Sequence, residues 1–232
     1  MSFVGNSLGG LYSRYAIKEL ENNNKLNNIK RNYFMTIATP HLGVLNYTYI
    51  EQFLDISIPF QIKKLVASTM LRSGRHVFLT DRENGKVTET LLYQMATSDM
   101  YLKPLKAFSK RRLYANLNND FVVPCEISSL LSHDECKILR QKNVFQSGIV
   151  AILSENDKNT SANSSIDSFY HMLTSLDSIG WSKVIVNFPG SVPNAHNKIC
   201  ALSRYPQWFY DNVMGTAQGK IVMDNACEWL LQ

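Results

Sequence analysis

The tightest constraint on this chain lies in its first ten residues, Met1-Ser-Phe-Val-Gly-Asn-Ser-Leu-Gly-Gly10. A short apolar run, Ser2 to Val4, reads as a strand. Gly5-Asn6-Ser7-Leu8-Gly9 then matches G-x-S-x-G, and Gly10 opens an amphipathic stretch with Leu8, Leu11, Tyr12, Tyr15, Ala16 and Leu20 on one helical stripe. Strand, serine and helix in that order form a nucleophile elbow, in which the serine sits on a sharp, strained turn. The glycines at positions 5 and 9 are expected to be required by crowding, since residues two before and two after the serine approach closely enough for a Cβ to clash. Ser7 then projects from the top of a sheet at a helix N-terminus, where free N–H groups and the helix dipole favour an oxyanion. A glycine-rich turn with a buried serine is the bland alternative. A phosphate-cradling loop is disfavoured, because neither the G-K-[ST] ending nor the G-x-G-x-x-G spacing is present.

The chain has 232 residues, enough for one α/β domain with a sizeable core. Lys and Arg exceed Asp and Glu by 24 to 19, a net charge of +5. That mild excess is compatible with an anionic membrane surface without demanding one, and no nucleic-acid partner is implied. Cys125, Cys136, Cys200 and Cys227 are scattered and form no C-x-x-C, so they read as reduced thiols of a cytoplasmic protein. No stretch approaches 18 apolar residues.

Tyr33 to Ala38 reads as a buried parallel strand ending in the turn Thr39-Pro-His-Leu-Gly43, which completes one βαβ unit. Residues 46–72 are apolar without a strand period; they suit either core helices or a lid over an acyl-binding cleft. Residues 88–110 read as one or two helices, Arg111 to Asn116 as a strand and Ile127 to Leu131 as a short helix. Residues 155–168 form an Asn/Ser-rich, low-complexity loop. A further helix follows from Ser168. Trp181 to Phe188 is the last clear strand, and Ile221 to Leu231 a closing helix.

A serine hydroxyl needs a base to take its proton and an acid to orient that base. In α/β-hydrolases the chain order is Ser, Asp or Glu, then His, each in a loop just after a strand. Of five histidines, His41 and His76 precede every good acid candidate, His133 lies soon after Asp120, and His171 lies on a helix. His196 follows the last strand and is the expected base. Asp120 follows the Arg111–Asn116 strand and is the expected acid; Asp81 and Asp99 lack a preceding strand, and Asp134 falls in a polar helix. The Leu8 N–H is the expected oxyanion donor. No cofactor or metal is called for. His41, at a strand end, reads as a packed histidine shaping the rim.

Phe3-Val-Gly-Asn-Ser-Leu-Gly-Gly-Leu-Tyr-Ser-Arg-Tyr15, Thr39-Pro-His-Leu-Gly-Val44, Leu113-Tyr-Ala-Asn116 with Asp120 and Val123-Pro124, and Ala195-His-Asn-Lys-Ile199 together resemble the eukaryotic serine esterase (lipase-like) family of α/β-hydrolases. Asn6 stands where that family usually has His. The resemblance implies ester hydrolysis on lipid-like substrates by Ser7, Asp120 and His196, at membrane or lipid-droplet surfaces. In that fold several strands precede the elbow, and one of them leads into the loop that gives the second oxyanion N–H. With the elbow at residue 1, the chain reads as the C-terminal part of a mostly parallel sheet flanked by helices, its N-terminal strands missing. Poor solubility or weak activity is the expectation for such a piece, and a role in lipid binding without catalysis is the rival reading.

Overall fold

The computed structural model of the chain describes residues 1–44, 76, 79, 81, 86–120, 122–155, 168–190, 194–203 and 206–232. The stretch read as core helices or a lid, 46–72, and nearly all of the low-complexity loop, 155–168, lie outside them. Five strands form one sheet: β1 (Phe3–Asn6), β2 (Tyr33–Ile37), β3 (Lys110–Asn116), β4 (Gly148–Leu153) and β5 (Ser182–Asn187). Their spatial order is β1-β2-β3-β5-β4. The first four in that order are mutually parallel, and β4 runs antiparallel along β5. The helices are α1 (Leu8–Asn22), α2 (Leu91–Thr97), α3 (Asp99–Lys106), α4 (Cys125–Ser129), α5 (His133–Lys142), α6 (Ser168–Asp177), α7 (Ala195–Lys198) and α8 (Lys220–Leu230). A mostly parallel sheet flanked by helices is the α/β architecture expected, and it is consistent with an α/β-hydrolase-like fold.

Successive residues of a strand face opposite sides of its sheet, and in the central strands β2, β3 and β5 both sides are buried. Phe34, Leu113 and Ile185 join one core with Leu11 and Ile17 of α1, Leu92 of α2, Leu105 of α3, Leu176 of α6 and Trp181. Their neighbours Met35, Tyr114, Val184 and Val186 join a second core with Ala195 of α7 and Val222, Ala226 and Trp229 of α8. Double-sided burial fits their consecutive apolar residues, Phe34-Met35, Leu113-Tyr-Ala115 and Val184-Ile-Val186.

Two sequence expectations need correcting. The buried stripe of α1 is Gly10, Leu11, Arg14 and Ile17, whereas Tyr12 and Tyr15 are exposed. Arg14 enters the interior because backbone carbonyls and a histidine ring receive its guanidinium, a circumstance that hydrophobic periodicity does not register. The crowding at the elbow also falls elsewhere than expected. A Cβ on Gly5 would lie 2.5 Å from the backbone N and Cα of Gly10, and one on Gly10 would meet the Thr39 side chain at 2.2 Å; one on Gly9 would meet nothing within 4 Å. The first turn of α1 folds Gly10 back over Gly5 and turns the Gly9 Cα outward.

The asymmetry is testable. Gly5→Ala forces backbone against backbone, and overpacking of that kind typically costs about 1–3 kcal/mol. Gly9→Ala, in open space on a helix, should be neutral or slightly stabilising. Urea midpoints of the two variants check the contrast.

Candidate active site

In a parallel sheet the C-terminal ends of the strands share one edge, and the loops leaving them converge there. Ser7 leaves β1, Asp120 lies in the loop leaving β3, and His196 lies on α7, beyond β5. The β1 ladder runs on into the elbow: the Ser7 N–H donates to the Ile37 carbonyl at 2.8 Å. Ser7 then takes φ 52°, ψ −126°, the strained conformation of a sharp turn from strand to helix. It is held there by Thr39, whose hydroxyl donates to the Ser7 carbonyl at 2.8 Å. Ser7 is the N-cap of α1, yet its side chain makes no capping bond. The hydroxyl is engaged elsewhere.

Two loops bring His196 to Asp120. Residues 120 and 194 form an isolated antiparallel bridge, and the Ala195 N–H donates to the Asn119 carbonyl at 3.0 Å. His196 is the next residue. Its Nδ1 lies 3.1 Å from Asp120 Oδ2, and its Nε2 lies 3.0 Å from Ser7 Oγ. The Asp120 side chain is almost fully buried, and that of His196 is 16% exposed. An ionised carboxylate only accepts, so the geometry requires the proton on Nδ1 and leaves the Nε2 lone pair to accept from the Ser7 hydroxyl. All three expected residues meet in one hydrogen-bonded chain. Behind them, α4 is fixed by the buried Glu126, which receives both terminal nitrogens of Arg140, while Arg140 Nε donates to the Leu117 carbonyl. Burial raises the Glu126 carboxyl, and the Arg140 hydrogen bonds and charge outweigh it, leaving the group below its ordinary value.

The other histidines are engaged away from this chain. His76 pairs with Asp81, His133 lies 3.3 Å from Glu126, and His171 Nδ1 meets the Tyr93 hydroxyl at 2.7 Å. His41 is wholly buried, with Thr36 Oγ1 at 2.9 Å from Nε2 and Arg14 at 3.3 Å from Nδ1. Arg14 also donates to the carbonyls of His41 and Met95, tying the rim turn to α1 and α2. Burial lowers the Arg14 guanidinium to about 9. Burial, with the charge of Arg14, holds His41 well below the ordinary histidine value.

The His41 shift has a definite sign. A histidine whose folded pKa is depressed favours the folded state fully above the unfolded value of about 6.5 and progressively less as pH falls from there. The urea midpoint should therefore decline from pH 7 to pH 5, and His41→Gln should flatten that decline.

Sequence reasoning quoted two side chains around this centre without giving them a role. Asn116, the last residue of β3, donates to Asp120, and Thr39 anchors the serine backbone. A polar residue at a strand end reads as the start of a turn, so only its burial could have singled out Asn116. A cleft of about 350 Å³ opens beside the Asp120 loop, lined by Asn118, Asn119, Asn187 and Arg140 among others; neither Ser7 nor His196 reaches it.

A family profile described as Putative serine esterase (DUF676) matches residues 1–138. The chain belongs to this serine esterase family. Ser7 and Asp120 lie inside the matched stretch and His196 beyond it. Similar proteins include Putative lipase ROG1 of Saccharomyces cerevisiae, 32% identical over 171 residues, which cover 70% of this chain and 22% of that protein. Putative lipase YDL109C of the same yeast is 30% identical over 145 residues, 61% of this chain and 20% of that one. Putative lipase C4A8.10 of Schizosaccharomyces pombe is 26% identical over 205 residues, 82% of this chain and 24% of that one. The chain thus spans between a fifth and a quarter of the length of the curated relatives it matches. No solved structure matches it significantly.

Proposed function

We propose that the chain is a serine carboxylic-ester hydrolase working through an acyl-enzyme. Ser7 Oγ attacks the ester carbonyl while its proton passes to His196 Nε2. Asp120 holds the imidazole in the required tautomer and stabilises the imidazolium as it forms. The charge on the carbonyl oxygen develops at the start of α1, where the Leu8 N–H has no partner within the helix. His196 then returns the proton to the departing alkoxide. Water, deprotonated by the same nitrogen, cleaves the acyl-enzyme and regenerates the Ser7 hydroxyl.

The observation that carries this reading is the unbroken chain from Ser7 Oγ through His196 to Asp120, with links of 3.0 and 3.1 Å. Membership of a serine esterase family and relatives named lipases support lipid-like esters as the substrate class. Membrane or lipid-droplet surfaces are the proposed place of action.

A fluorophosphonate probe on the purified chain tests the reading. Stoichiometric labelling, lost in Ser7→Ala, is the expected result. An unlabelled wild-type protein that still binds acylglycerol vesicles would replace hydrolysis with lipid binding. Product analysis with added alcohols separates hydrolysis from acyl transfer.

A further inference from the structure

Asp120 is held by more than the histidine it faces. Its Oδ1 accepts the backbone N–H groups of Val122 and Val123 at 2.9 and 2.8 Å. Its Oδ2 accepts from His196 Nδ1 at 3.1 Å and from Asn116 Nδ2 at 2.6 Å. The amide contact is the shorter of the two on that oxygen. Asn116 is 1% exposed. The orientation of its amide is forced, because a carboxylate oxygen only accepts and the NH₂ end must face it. Its own carbonyl oxygen is thereby left buried, with no hydrogen-bond partner among the described residues.

A buried carbonyl without a partner is destabilising. Packing alone would favour leucine here, which has a similar shape and no polar atom to satisfy. The chain instead carries a side chain whose one hydrogen bond, among the described residues, goes to Asp120.

We propose that Asn116 is a positioning residue for the Ser7–His196–Asp120 chain. The two backbone amides fix Oδ1 but leave the carboxylate plane to turn, since the terminal torsion of an aspartate is broad. The Asn116 donor supplies the remaining point, so that Oδ2 faces His196 Nδ1. The inference rests on the catalytic roles proposed above for those three residues.

Two variants test it. Asn116→Leu removes the donor and the orphaned carbonyl together. Its thermal midpoint should stay level or rise. Its kcat on p-nitrophenyl acetate should fall about 10- to 100-fold with KM unchanged, the loss expected for one charge-assisted hydrogen bond. Asn116→Asp sets a second carboxyl against Asp120. Two carboxyls that close share a proton, and only the protonated form can donate. Its activity should therefore approach wild type at the acid end of the active range and collapse as pH rises. Asn116→Leu should show no such recovery. The titratable groups near this pair among the described residues, His196 and the Cys200 thiol with Cys125 and Arg140 of the adjoining cleft, are common to both variants.

A purely structural role predicts instead that the thermal midpoint and kcat fall together, with no recovery in acid. That result, or an unchanged kcat in Asn116→Leu, overturns the proposal. A readout free of turnover separates it from the hydrolase reading. In the Ser7→Ala chain, the low-field proton resonance of His196 Nδ1–H reports the bond to Asp120. Adding Asn116→Leu should broaden or abolish it, whether or not the wild-type protein labels with fluorophosphonate. An unaltered resonance would also overturn the proposal.

Discussion

Replacing Ser7 with alanine should lower kcat on a soluble ester by about 10⁶-fold, the loss recorded when a triad nucleophile is removed from a well-studied serine protease. The stability cost should be small. The hydroxyl is half-buried and bonded to His196, and a typical net hydrogen bond is worth about 1 kcal/mol. The positive φ of Ser7 strains alanine about as much as serine, so the elbow itself should survive. A thermal midpoint within a few degrees of wild type, with no fluorophosphonate labelling, is the expected pairing. Comparable activity in the variant would remove Ser7 from the mechanism.

Asp120→Asn should cost about 10⁴-fold, by the measure of the same change in a serine protease. The amide can present its NH₂ to His196, which turns the imidazole to the tautomer that donates, rather than accepts, at Nε2. His196→Ala should be more severe, approaching the loss in Ser7→Ala. His41→Ala should instead act chiefly on stability, because its ring bonds to Thr36 and Arg14 and not to Ser7 or Asp120. Steady-state rates on one ester, with melting curves on the same preparations, rank the three variants. A larger rate loss at His41 than at His196 would mean that the base had been misassigned.

Much of the arrangement was legible in the sequence because its signals are local. The elbow is five residues long, and each strand before a functional loop carries a short apolar stretch, Phe3-Val4, Leu113-Tyr-Ala115 and Val184-Ile-Val186. The order Ser, Asp, His is the α/β-hydrolase pattern that goes with the elbow, and parallel strands put all three loops on one edge, so Ser7, Asp120 and His196 could be named before their distances were known. β4 escaped notice. Gly148-Ile-Val-Ala-Ile-Leu153 is apolar but lies between a polar helix and the low-complexity loop. It is an antiparallel edge strand, and the βαβ pattern does not anticipate one. Gly9 was misjudged because motif spacing says which residues are small and not which way their Cα hydrogens point. Arg14 and Asn116 stood in the quoted motifs without a role, for a common reason. Arg14 finds its partners far along the chain and Asn116 only four residues on, but each is a buried polar group, and periodicity reports only what water would prefer to exclude.

The bridge between residues 120 and 194 also bears on how the chain matures. Ser7 and His196 are 189 residues apart in sequence, and they meet only when the loop after β5 docks on the loop after β3. Contacts of such separation form late, because the entropy of closing the intervening loops is lost before the contact returns anything. The core that holds Phe34, Leu113 and Trp181 can therefore assemble while the serine is still chemically inert. During refolding, probe reactivity should lag behind tryptophan burial at Trp181, so the nucleophile acts as a clock for the final docking step. A newly made chain is correspondingly unreactive toward the probe until the loop carrying His196 has docked.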